Sequence, residues 1–115
     1  MSNCIFCKIA NGEIPSNKVY EDDKILCFRD LNPQAPIHAL IIPKVHIETL
    51  VQVKSEHSEV LGHIFAKIPE IAKMLDITEE NGFRLCVNCG ANAGQTVFHL
   101  HFHLLSGRDF SWPPG

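Results

Sequence analysis

The chain has 115 residues, 45% of them hydrophobic, seven histidines, and a formal net charge of −3. That size suits one domain, expected over residues 1–115, with one modest core, and the composition is too apolar for a disordered chain. No block of Lys or Arg appears, which argues against a polynucleotide partner, since phosphate contacts dominate that affinity. A small anionic ligand held by a few local donors stays open.

The opening "MSNCIFCKIA" has no basic leader, and no apolar stretch approaches the roughly 20 residues of a membrane span. Neither a signal peptide nor a membrane partner is expected. The cysteines are Cys4, Cys7, Cys27, Cys86 and Cys89, an odd number that gives no disulfide framework. A reducing, cytoplasmic setting follows, with thiols free for metal or packing.

In chain order, "NGEIPSN" (11–17) and "EDD" (21–23) read as turns. "KILCFRD" (24–30) is strand-like, and the two prolines of "NPQAP" (32–36) mark a loop. "HALIIP" (38–43) is a second strand. Val60, Leu61, Ile64, Phe65, Ile68, Ile71, Ala72 and Leu75 form one stripe with a period near 3.6, the clearest helix in the chain. Ser55 is expected to cap it, Glu56 to suit its first turn, and Pro69 to kink it. His57 and His63 fall off the stripe and read as solvated. "FRLCVN" (83–88) is a third strand, "CGANAGQ" (89–95) a Gly-rich loop, and "TVFHLHFHLL" (96–105) the last strand. "SWPPG" is an irregular tail. The order predicts an α+β fold, an antiparallel sheet with the long helix on one face.

The last strand carries the chemistry. Alternate residues share a face, so His99, His101 and His103 point one way with Val97, while Phe98, Leu100, Phe102 and Leu104 point to the helix. Three readings compete: a half-exposed strand that happens to use histidine, a row of metal ligands, or catalysis on phosphate, one imidazole attacking and its neighbours binding oxygens or moving protons. The preceding "AGQT" (93–96) favours the third. Gly94 lets a ligand approach the backbone, and Gln95, Thr96 and successive N–H groups can form an anion-binding concavity.

"HLHFHLL" (99–105) resembles the His-φ-His-φ-His-φ-φ signature of the histidine triad family of nucleotide-binding proteins. The resemblance extends through "IFCKIANGEIPSNKVYEDD", "CFRDLNPQAPIHALIIPKVH", "VNCGANAGQTVFHLHFHLL" and "GRDFSWPPG", the last similar to the purine nucleoside phosphoramidase (Hint) branch. It implies an antiparallel five-stranded sheet with one long helix and a short N-terminal helix, the sheet extended by dimerisation. It also implies a hydrolase that cleaves purine nucleoside phosphoramidates through a nucleotidyl-histidine. A dinucleoside polyphosphate hydrolase or nucleotidyltransferase on the same scaffold is an alternative, as is a zinc-stapled nucleotide-binding module with weak turnover. His101 matches the nucleophile, His103 the histidine on the α-phosphate, and His38 an upstream member of the hydrogen-bond chain. Asn88, Gly94, Gln95 and Thr96 match the phosphate loop, Thr96 standing among the catalytic residues. Asp30 matches the ribose-binding carboxylate. Ile5, Phe6, Ile9, Phe28 and Leu31 match the walls of the base pocket, and Trp112 lies in a tail that would reach a partner's site in a homodimer.

Two C-x-x-C pairs are present, Cys4–Cys7 and Cys86–Cys89. Residues three apart in a strand face opposite ways, so the second pair would chelate only if the strand broke at Asn88. Cys86 is expected in the core and Cys89 as a loop thiol. Structural zinc sites in some family members, among them galactose-1-phosphate uridylyltransferases, resemble a set made of Cys4, Cys7, His46 and His99. Such a site would be closed and structural.

Overall fold

The computed structural model describes residues 3–115. A short helix α1 (Ile5–Ala10) precedes β1 (Lys18–Glu21), β2 (Ile25–Arg29) and β3 (Ile37–Pro43). The long helix α2 (Ser58–Met74) follows, then β4 (Arg84–Val87) and β5 (Phe102–Ser106). The five strands form one antiparallel sheet in the order β1-β2-β3-β5-β4. The fold is the expected α+β arrangement. No helix among the described residues is long and apolar enough to cross a membrane.

The strands β2 and β3 are apolar on both faces because both faces are covered. Ile25, Cys27, Ala39 and Ile41 pack under α2 with Ile64, Ile68, Ile71 and Leu75. Leu26, Phe28, Leu40 and Ile42 pack on the other side with Phe6 and Ile9 of α1. Each fully buried aliphatic side chain contributes roughly 1.5–3 kcal/mol. The short helix therefore turns the second face of the sheet into a walled surface.

The helix departs from expectation in two details. Ser55 starts a single 3-10 turn (Ser55–His57), and α2 proper begins at Ser58, so Ser55 does not cap it. Phe65 is half-exposed, its ring meeting that of Phe102 edge-on at 5.6 Å. The expected proline lies inside the helix, which continues past Pro69 to Met74. The carbonyl deprived of its N–H partner is that of Phe65, on the exposed side, where water can replace the bond.

Two histidines read as solvated are engaged. His57 is half-buried, its Nδ1 accepting the Lys54 amide at 3.0 Å. His63 reaches from α2 to Asp22 in the β1–β2 turn, Nε2 to Oδ2 at 2.6 Å. Asp22 also accepts the Tyr20 hydroxyl at 2.7 Å and the amides of Lys24 and Ile25 at 2.8 and 3.0 Å. Burial pushes this carboxyl's pKa up, but the bonds from His63, Lys24, Tyr20 and Ile25 outweigh it and hold the pKa well below the usual carboxylate range.

The largest correction concerns the last strand. Only Phe102–Ser106 pairs, and residues 96–101 are irregular. Ile41 lies opposite Phe102, so a longer ladder would put Leu100 opposite Pro43, which has no N–H to give. Leu100 instead donates its amide to the Ile47 carbonyl at 2.6 Å. On the other side β4 ends at Val87 and turns into the Gly-rich loop. Leu100, Phe102 and Leu104 still face α2, but Phe98, placed before the ladder, is half-exposed.

Candidate active site and an adjoining cysteine–histidine cluster

The face of the sheet opposite α2 holds a cleft of about 520 Å³. Ile5, Phe6 and Ile9 of α1, with Phe28 and Leu31, form its apolar side. Asp30, His38, His101, His103, Gly94 and Thr96 form the polar side. Phe6 and Phe28 meet edge-on at 5.5 Å, and Phe6 meets His101 at 5.1 Å, so core packing and cleft wall are here the same side chains. Leu31 is almost wholly exposed at the rim.

Backbone contacts fix the ring protons. The Gln34 amide donates to His38 Nδ1 at 3.0 Å, which places the His38 proton on Nε2. That Nε2 lies 2.9 Å from His103 Nδ1 and 3.5 Å from Asp30 Oδ2. His103 must therefore accept at Nδ1 and carry its own proton on Nε2, as a donor. His101 Nδ1 donates to the His99 carbonyl at 2.8 Å, leaving a lone pair on Nε2. Burial, then the neighbouring His101 and His38, pushes His103 down to about 4. Burial also lowers His38, partly opposed by Asp30. Both rings are neutral at pH 7.

Three of the expected site residues lie outside the lining of this cleft. The buried Gln95 spends its side chain inside the loop: Oε1 accepts the Gly90 amide at 2.9 Å, and Nε2 donates to the carbonyls of Glu48 and Val97 at 2.8 and 3.1 Å. Its side chain braces the loop. Asn88 is half-buried just beyond β4 and outside the cleft lining. Trp112 is strongly exposed in the tail, away from this chain's own cleft. Nothing in the sequence marks Gln34, because its contribution to His38 is a backbone amide.

A second cluster adjoins the cleft. The ligand atoms of Cys4, Cys7, His46 and His99 all lie within 4.8 Å of one another. His99 Nδ1 is 3.3 Å from Cys4 Sγ, 3.5 Å from Cys7 Sγ and 3.3 Å from His46 Nδ1, and Cys7 Sγ is 3.3 Å from His46 Nδ1. A tetrahedral ion with zinc–nitrogen and zinc–sulfur bonds of about 2.0 and 2.3 Å would give ligand separations of roughly 3.3–3.8 Å, so the set fits zinc. His99 donates from Nε2 to the Pro43 carbonyl at 2.7 Å, which turns a bare lone pair inward. Cys4 also caps α1, its Sγ accepting the Cys7 amide at 3.3 Å. Burial, then Cys4, pushes the Cys7 thiol up to about 11. A bound cation would reverse that by stabilising the thiolate.

The other C-x-x-C does not join this cluster. The strand does end before Asn88, but Cys86 and Cys89 are both half-buried free thiols. Cys86 lies opposite His103 in the ladder, on the face away from Leu85 and Val87, rather than in the core.

A family profile described as "Scavenger mRNA decapping enzyme C-term binding" matches residues 3–111. A solved structure of a HIT family hydrolase from Legionella pneumophila superposes with a TM-score of 0.93 at 50% identity, covering 98% of this chain and all of that one. The chain is 47% identical to a 14 kDa zinc-binding protein of Zea mays, over 99% of this chain and 89% of the relative. It is 44% identical to adenylylsulfatase HINT1 of Arabidopsis thaliana, over 99% of this chain and 78% of the relative. The chain belongs to the histidine triad family, in its Hint-like branch.

Proposed function

We propose that the protein is a nucleotide-binding hydrolase that cleaves purine nucleoside phosphoramidates to nucleoside monophosphate and amine. The observation that carries this is the His101 ring, pinned through Nδ1 to the His99 carbonyl so that Nε2 keeps a lone pair at the cleft. Nε2 attacks the α-phosphorus, the phosphorus–nitrogen bond breaks, and the amine leaves with a proton from water. A second water then attacks the nucleotidyl-histidine, its proton passing to the hydroxide left by the first, and gives the monophosphate and free His101. His103, held as a donor by His38, gives its Nε2–H to a non-bridging oxygen as negative charge grows there. Thr96 and the backbone near Gly94 take further phosphate oxygens. Asp30 takes the ribose hydroxyls, and the base lies between the α1 side chains and Phe28.

The Arabidopsis relative, named as an adenylylsulfatase, favours a second reading in which the same nucleophile expels sulfate. Comparing kcat/KM for an adenosine phosphoramidate and for adenylyl sulfate tests both. A phosphoramidate rate no better than that of a His101→Ala variant would reject the first.

In this reading zinc occupies the Cys4, Cys7, His46 and His99 set, where it would tie α1 to the segment bearing His101 and leave no open position for chemistry. The protein works in the cytoplasm, where its cysteines stay reduced. It is a homodimer, paired through the open edge of β4 and the α2 face around Phe65. Trp112 then reaches towards the partner's cleft. Sedimentation should give a dimer at micromolar concentration, and a monomer there would reject the pairing.

A further inference from the structure

The segment after β5 is tied to the loop between β2 and β3 by contacts that the functional reading leaves unused. Gly107 has a φ of +97°, and a Cβ there would lie 2.9 Å from Pro36 Cβ, so the chain hugs that loop only as glycine. Arg108 donates from Nε to the Gln34 carbonyl and from Nη1 to the Asp109 carbonyl, both at 3.1 Å. Its guanidinium lies over the Phe110 ring, 4.3 Å from the centroid. Arg84 of β4 lies over the same ring at 5.2 Å and donates to the Ser111 carbonyl at 3.0 Å. Two guanidiniums on one ring fix where Arg108 sits.

Gln34 is the residue whose amide sets the His38 proton. The rest of its support comes from its own loop, through its side-chain amide to the Asn32 carbonyl at 3.0 Å and the Asn32 amide to Asp30 Oδ1 at 2.8 Å. Arg108 braces it from outside that loop.

We propose that Arg108 is a positioning residue: by holding the Gln34 carbonyl it keeps the Gln34 amide on His38 Nδ1, and so keeps His38 a donor to His103. Its effect on turnover rests on the hydrolase reading above, whereas its effect on the rings does not.

Nitrogen-15 spectra of the histidine rings in nucleotide-free protein test it. In Arg108→Ala the ring nitrogens of His38 and His103 should shift towards a mixture of tautomers, while those of His101, held by the His99 carbonyl, stay in place. The kcat on an adenosine phosphoramidate should fall about two- to tenfold, the worth of one ordinary hydrogen bond, with KM little changed. Arg108→Lys should recover only part of the loss, because an ammonium cannot lie flat on Phe110 while bonding Gln34. Phe110→Leu, which removes the ring and keeps the arginine, should give a smaller change of the same kind and serves if Arg108→Ala does not fold. Unchanged His38 and His103 signals in a folded variant would overturn the proposal. If the wild type itself hydrolyses no phosphoramidate, the functional reading fails and the ring spectra alone decide for or against Arg108.

Discussion

At the cysteine–histidine corner the Nδ1 atoms of His46 and His99 face each other at 3.3 Å; in the cleft, Nε2 of His38 and Nδ1 of His103 approach to 2.9 Å. The cleft pair has a proton to share, placed by the Gln34 amide. At the corner the Pro43 carbonyl fixes His99 alone, turning its Nδ1 lone pair towards His46 and two sulfurs, an arrangement a cation would satisfy. His99 and His101 are two residues apart, and each ring is anchored by a backbone carbonyl. The carbonyl binds Nε2 of one ring and Nδ1 of the other. Which nitrogen is anchored decides which is offered: His99 presents Nδ1 to a closed corner, and His101 presents Nε2 to an open cleft.

The comparison breaks most directly at His101. His101→Ala should lower phosphoramidate turnover by roughly four orders of magnitude or more, as loss of a covalent nucleophile does. Adenosine monophosphate should still bind by calorimetry, because Asp30 and the apolar wall remain. Near-normal turnover would make the cleft a second binding corner and erase the distinction.

Cys7→Ser makes the opposite break. Metal content should drop from one zinc per chain to near none, and the thermal midpoint should fall by roughly 10–20 °C, reflecting several kcal/mol of lost support. Residual activity, measured well below the new midpoint, should fall far less than in His101→Ala. A variant that keeps its midpoint but loses turnover would place the metal in the chemistry.

His103→Ala sharpens the picture within the cleft. Losing one donor to the developing charge costs roughly 3–4 kcal/mol in comparable sites, so kcat should drop a few hundredfold with the nucleophile intact. A nucleotide adduct on His101 should still be trapped by rapid quench. Loss equal to that of His101→Ala would make the two rings a single unit.

These contrasts were only partly legible in the sequence. The α2 stripe and the β2 and β3 runs announce themselves because burial imposes a period, and four chelating side chains at family spacings mark the corner. The last ladder is shorter than its pattern predicts, since alternation of His with Leu and Phe persists through residues outside the sheet. The true limit lies in another strand, at Pro43, and a single-strand pattern does not carry its partner's defects. The side-chain bonds of Gln95 inside its loop are not legible either, because they depend on where Glu48 and Gly90 arrive in space. Gln34 and the carbonyls of Pro43 and His99 act through the main chain, so residue type says nothing of them.

The smallest expected effect is a pH slope, and it separates the two clusters without any substrate. Burial lowers the pKa of His38 and takes that of His103 down to about 4, against about 6.5 in an unfolded chain. Well above pH 6.5 both rings are neutral in either state, and they add no pH dependence. As pH falls from 6.5 towards 4, the unfolded chain takes up protons that the folded cleft refuses, so stability falls with pH and levels off below about 4. His103→Gln removes one of these groups while keeping a hydrogen-bonding side chain. Urea unfolding at several pH values between 4.5 and 7 should therefore show a shallower decline for the variant than for the wild type. Acid loss of metal at the corner would be common to both proteins and cancel in the difference. A variant with the steeper decline would mean that the folded cleft holds His103 charged, and the proton chain from Gln34 through His38 would then run the other way.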